Sequence, residues 1–132
     1  MRICFLIDGF LKDESVPING TMVQAYNLAE DFADRNYEIY YVTATSSKKE
    51  ITTTKENNIT VYWIPYKNKY LPQLTNKKKY YEALKKINPD IIYNRGRNYL
   101  TYLAGKYAVK NSKKFIGRER RSLYAFHTRA AR

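Results

Sequence analysis

The chain is poor in the residues that most often carry chemistry. It has one cysteine, one histidine, five glycines, four prolines, and 12 acidic side chains against 24 basic ones. A lone cysteine forms no disulfide within the chain, and Cys4 falls inside the first apolar run, where a buried, inert thiol is expected. A reducing, cytoplasmic setting fits. The single histidine, His127, lies in an arginine-rich terminal segment, so neither a Ser-His-Asp array nor a histidine-based metal site is expected. No apolar run approaches the roughly 18–20 residues of a membrane span, and "RICFLID" ends in Asp8 without the small-residue cleavage site of a signal peptide. The expectation is a chain neither integral nor secreted. No G-x-G-x-x-G follows the first apolar run and no G-x-x-x-x-G-K-[ST] occurs, so dinucleotide and P-loop nucleotide readings lose their main support.

What is present is globular. With 132 residues, 44% of them hydrophobic and 27% charged, the chain is long enough to bury one core without staples. Its net charge of +12 is uneven: residues 67–86 carry seven Lys and one Glu, residues 113–132 carry seven Lys or Arg and one Glu, and the remainder is neutral. Two basic segments on a balanced body point to an anionic surface or ligand met at particular places, or to solvated, lysine-rich faces that only keep the protein dispersed. The 14 tyrosines fit stacking on bases no better than they fit a compositional bias. Up to Lys114 the chain holds fifteen Lys and four Arg, and from Phe115 onward five Arg and no Lys. That break sets residues 118–132 apart as a basic tail, either non-native or frameshifted, or a terminal helix.

Periodicity supplies the elements. "RICFLI", residues 2–7, is a continuous apolar run of the kind covered on both faces of a sheet, followed by an aperiodic loop over 9–20. Met22, Ala25, Tyr26, Ala29, Phe32 and Ala33 recur at helical spacing, Thr21 and Gln24 match a capping box, and Asn36 suits the left-handed end of that helix. "YEIYYVT", "ITVYWIP", "DIIYN" and "KKFIG" read as further strands. Helices are expected around Tyr80, Leu84 and Ile87, stopped by Asn88-Pro89, and over 98–110. The connection over 44–58 shows no helical pattern and reads as an irregular crossover. The fold class is α/β: a Rossmann-like open parallel sheet of about five strands, order 3-2-1-4-5, flanked by helices.

In such sheets ligands meet the carboxyl ends of the strands, where loops run into helix N-termini. This selects the 9–21 loop with Gly20 ahead of a helix, "NRGRN" at 94–98, and "GRERR" at 117–121. Gly20 lets a phosphate or sugar oxygen approach free backbone amides, or is an ordinary turn glycine. Arg95 and Arg97, flanking Gly96, offer forked hydrogen bonds to an anionic or polyol substrate, or are plain loop arginines.

"MRICFLID", then Pro17 and Gly20, then "NLAEDFADRNYEIYYVT" and "KKINPDIIYNRG" together resemble the N-terminal half of a family 4 glycosyltransferase of the GT-B fold. Leu28-Ala29, Phe32, Arg35, Glu38, Ile39 and Thr43 fall where that family's first helix and second strand place their counterparts, over a match of about residues 1–117. Asn19 stands where the first Gly of a pair is common, Asn36 and Tyr37 replace Gly-His, and Tyr93 replaces a frequent His, which removes a polar side chain from the acceptor cleft. The resemblance implies a glycosyltransferase with no cofactor, moving a sugar from a nucleotide-sugar to the hydroxyl of a sugar or lipid-linked acceptor, with no protein-bound metal. Gly20 and Thr21 would face the donor phosphates; Arg95, Gly96 and Arg97 would line the acceptor side. Glu119 would reach the cleft without being assigned as a base.

It further implies a donor-binding domain beyond these residues, so that 1–117 reads as the acceptor-side domain of a truncated or separately encoded enzyme, inactive alone. A two-chain enzyme with a second subunit is one alternative; a small module contacting an acidic partner is another, with nucleic acid disfavoured. Because relatives that act on lipid-linked acceptors rest a basic, aromatic surface on the anionic inner leaflet, Lys77, Lys78 and Lys79 are expected at a membrane surface.

Overall fold

The computed structural model describes residues 1–10, 19–45, 49–65, 77–95, 99–118 and 123–126. Every segment with strong apolar periodicity takes the element its period predicts. Strand β1 is Arg2–Leu6, helix α1 Gly20–Asp34, β2 Glu38–Thr45, β3 Thr52–Glu56 and β4 Ile59–Pro65. Helix α2 follows at Lys77–Ile87, then β5 Ile91–Arg95, α3 Tyr99–Lys110, β6 Lys114–Arg118 and β7 Leu123–Phe126. They build one sheet of seven strands in the order β3-β4-β2-β1-β5-β6-β7. The five expected strands stand in the expected order and pair in parallel; an antiparallel strand is added at each edge.

The strand at one edge corrects the expectation for 44–58. Residues 52–56 form β3, which turns back on β4 through Asn57 and Asn58, both at positive φ (48° and 68°). Two left-handed residues make the tight turn whose twist matches a hairpin, and asparagine tolerates that conformation better than most side chains. Thr53, Thr54 and Lys55 are exposed, so the strand has no apolar alternation to announce it.

The central strand explains the layering. Ile3, Phe5 and Ile7 point to one face, where Ala25, Tyr26, Ala29 and Ala33 of α1 cover them together with Ile39, Tyr41 and Val61. Cys4 and Leu6 point to the other, under Tyr80, Leu84 and Ile87 of α2 and Leu103 and Ala104 of α3. A strand apolar on both faces can lie only inside the sheet. At the amino edge, the Arg2 amide donates to Asp90 (2.9 Å), and its guanidinium donates to Glu38 and to the Ile87 carbonyl (3.0 Å each). Three elements are thereby tied to the first strand. Helix ends follow local chemistry: Asn36 (φ 70°) closes α1, Asn88 (φ 50°) ahead of Pro89 closes α2, and Ser112 (φ 56°) follows α3.

Candidate functional site

Because β1, β2, β4, β5 and β6 are parallel, each helix that follows a strand returns against it. The N-termini of α1, α2 and α3 therefore share the carboxyl edge of the sheet. The chain turns from β1 to one side through α1 and approaches from the other through β5, so the crevice between the carboxyl ends of β1 and β5 is the switch point where open α/β sheets take ligands. None of the three helices carries an acidic residue in its first turn. Their positive dipole ends are uncompensated from within.

The turn after β1 is held on every side. Gly9 has φ 109°, and a Cβ there would stand 2.9 Å from the Met22 sulfur, so only glycine fits. Its amide donates to the Thr43 hydroxyl (2.9 Å), and its carbonyl accepts from the Tyr41 hydroxyl (2.9 Å). Phe10 then sits edge-on among Tyr26, Tyr41 and Trp63. Asp8 is the residue this turn presents. It reaches solvent, yet the surrounding protein displaces enough water to raise its carboxyl above the usual range, and its charge in turn helps raise the hydroxyls of Tyr41 and Tyr80, which burial raises most.

Across the crevice, Asn94 is fully buried. Its amide nitrogen donates to the Leu6 carbonyl (2.7 Å), and its oxygen accepts from the Thr101 hydroxyl. Freeing either group in a buried place would cost about 1–3 kcal/mol, so Asn94 fastens β1, β5 and α3 rather than meeting a ligand. Tyr93, which stands for a histidine in the resemblance, is buried against Phe5 with ring centroids 5.0 Å apart.

Gly20 and Thr21 form the first turn of α1, at this edge. The expected cap is corrected: Asn19, not Thr21, is the N-cap, and its side chain accepts from the Met22 amide at 3.0 Å. Asparagine outranks threonine in that role, which is worth about 1 kcal/mol. Asn19 thus consumes one helix amide, and Val23 bonds the Asn19 carbonyl (3.2 Å). Among the described residues the amides of Gly20 and Thr21 take no partner, and a Cβ on Gly20 would meet nothing within 4 Å. Arg95 is half-buried at the end of β5, in register with Arg118. Lys77, Lys78 and Lys79 occupy the first turn of α2, the first two exposed. Gly96, Arg97, Glu119 and His127 lie outside the described residues. Sequence reasoning passed over Asp8 and Tyr80; the only signal was an acid at the end of a continuous apolar strand.

Among the described residues no helix is long and apolar enough to cross a membrane, and no cluster of three metal-ligating side chains occurs. No protein-family model matches the sequence, and no curated protein matches it. A sucrose-phosphate synthase from Thermosynechococcus elongatus shares its fold. That likeness has a TM-score of 0.63 at 10% identity over 89% of this chain. The fold is glycosyltransferase-like. The chain covers 32% of the length of that synthase.

Proposed function

We propose that the chain is the acceptor-side domain of a glycosyltransferase that moves a sugar from a nucleotide-sugar to an acceptor hydroxyl. The observation that carries this reading is the open first turn of α1 at the switch-point edge of a glycosyltransferase-like sheet: two unpartnered amides, Gly20 and Thr21, at the positive end of a 15-residue helix, with free space above Gly20. Such a turn suits a diphosphate. Arg95 stands on the same edge, with Gly96 and Arg97 next in sequence, and would serve the acceptor side. Transfer needs hydrogen-bond donors where charge develops on the departing diphosphate, so a donor-binding domain must join these residues and they alone are expected to transfer no sugar. The family 4 resemblance, the cytoplasmic setting and the lipid-linked class of acceptor belong to the same proposal. The first two rest on the sequence motifs, the third on the lysine-rich start of α2.

Amide NMR tests it. Titration with uridine, guanosine or adenosine diphosphate sugars should shift the Gly20 and Thr21 signals, and Gly20→Ala, whose methyl enters open space and leaves the fold intact, should weaken that response several-fold. Signals that ignore all three nucleotides would refute the reading.

A further inference from the structure

Tyr80 holds a hydroxyl that is buried and has no hydrogen-bond partner. Buried hydroxyls in native proteins are nearly always bonded, because an unmade bond costs about 1–3 kcal/mol, so this one marks a place where something is missing. It sits in the first turn and a half of α2, at the carboxyl edge of the sheet, on the face opposite α1. The charge it feels is that of Asp8, at the tip of β1. Asp8 is held there by a turn whose two backbone polar groups are both bonded by β2 side chains and whose glycine admits no substitute. A fixed acceptor and an orphaned donor thus face one crevice from two different elements.

The geometry points to a subsite in which Asp8 and Tyr80 together grip a single hydroxyl group of a neutral polyol ligand. A hydroxyl is the complement of this pair: its proton goes to the Asp8 carboxylate while its lone pair accepts from Tyr80. A phosphate would meet the Asp8 charge with its own. An ammonium group would satisfy Asp8 but leave Tyr80 without an acceptor. A metal ion would want more anionic ligands than the described residues bring together. Water has the right donor and acceptor character but none of the further contacts of a ring. Within the acceptor-side reading, Asp8 and Tyr80 are the positioning residues for the acceptor's alcohol. The inference rests on that reading for the ligand class alone.

The test uses the whole chain, labelled with 13C at aspartate carboxyls, and methyl α-D-glucopyranoside as the probe. The glycoside should move the Asp8 carboxyl signal in a saturable way, and inorganic phosphate should not. Tyr80→Phe should bind the probe several-fold more weakly while folding as stably as the parent, since the lost hydroxyl made no bond. Asp8→Asn should weaken it further. Equal affinity in the parent and Tyr80→Phe would overturn the proposal, as would an Asp8 signal indifferent to the glycoside, the sign of water alone. Failure of nucleotide sugars to shift Gly20 and Thr21, with glycoside binding intact, would instead refute the donor-phosphate reading.

Discussion

At the scale of single residues, Asp8 is the side chain whose cost reveals its use. Its carboxyl is raised in the folded chain by desolvation, so the native state binds that proton more tightly than the unfolded state does. Stability attributable to Asp8 is greatest below the ordinary aspartate range, about 3.9, and falls as pH rises through the raised value. Asp8→Asn should therefore be more stable than the parent at neutral pH, with the advantage vanishing in acid, where both side chains are neutral. Urea unfolding at the two pH values measures this, and a parent at least as stable at neutral pH would contradict it. Glu38 has the opposite sign: bonds from Tyr40 and Arg2 lower its carboxyl, so its contribution is present above the ordinary range and fades as pH falls. The sequence shows Asp8 only as the end of an apolar run. Its environment is set by Tyr41 and Tyr80, which reach it from other elements, and no local pattern encodes that meeting.

Among the elements, α2 begins against its own electrostatics. Lys77, Lys78 and Lys79 crowd the positive end of its dipole, a placement that costs about 0.3–1 kcal/mol per exposed charge near a helix end. Lys77 lies over the Tyr81 ring at 5.8 Å, and on α3 Lys106 lies over Tyr102 at the same distance. An anionic membrane surface would relieve the lysines and admit the rings. Replacing the three lysines by glutamate should raise the melting temperature by a few degrees and abolish sedimentation with anionic vesicles. Unchanged binding, or equal binding to neutral vesicles, would rule out charge-driven docking. The helices were legible because 3.6-residue periodicity survives wherever one face is buried. Strand β3 was not, since Thr52–Glu56 lies at an edge and buries no continuous face; its one written sign is Asn57-Asn58. The start of α1 was ambiguous because Asn19 and Thr21 both have capping chemistry. The outcome moved the helix start by one residue and left Thr21 inside the first turn.

On the scale of the whole molecule, the order of strands differs from the order of residues. The bond from the Arg2 amide to Asp90 spans 88 positions, and β1 is flanked by one strand made soon after it and another made much later. Ribosomes add about 5–20 residues per second, so for several seconds a nascent chain holds β1 with β2 and α1 while its opposite face is bare. Cys4 lies on that bare face, beneath where α2 and α3 will settle, and in the finished fold burial removes it from water and pushes its thiol up. A maleimide should therefore label Cys4 in ribosome-held chains whose emerged portion stops at residue 65, and fail once α3 and β6 have emerged. Protection already present at residue 65 would mean the half-sheet closes on itself. The buried thiol that is inert in the mature protein is thus a timer of its synthesis, recording the moment at which the second layer of helices arrives.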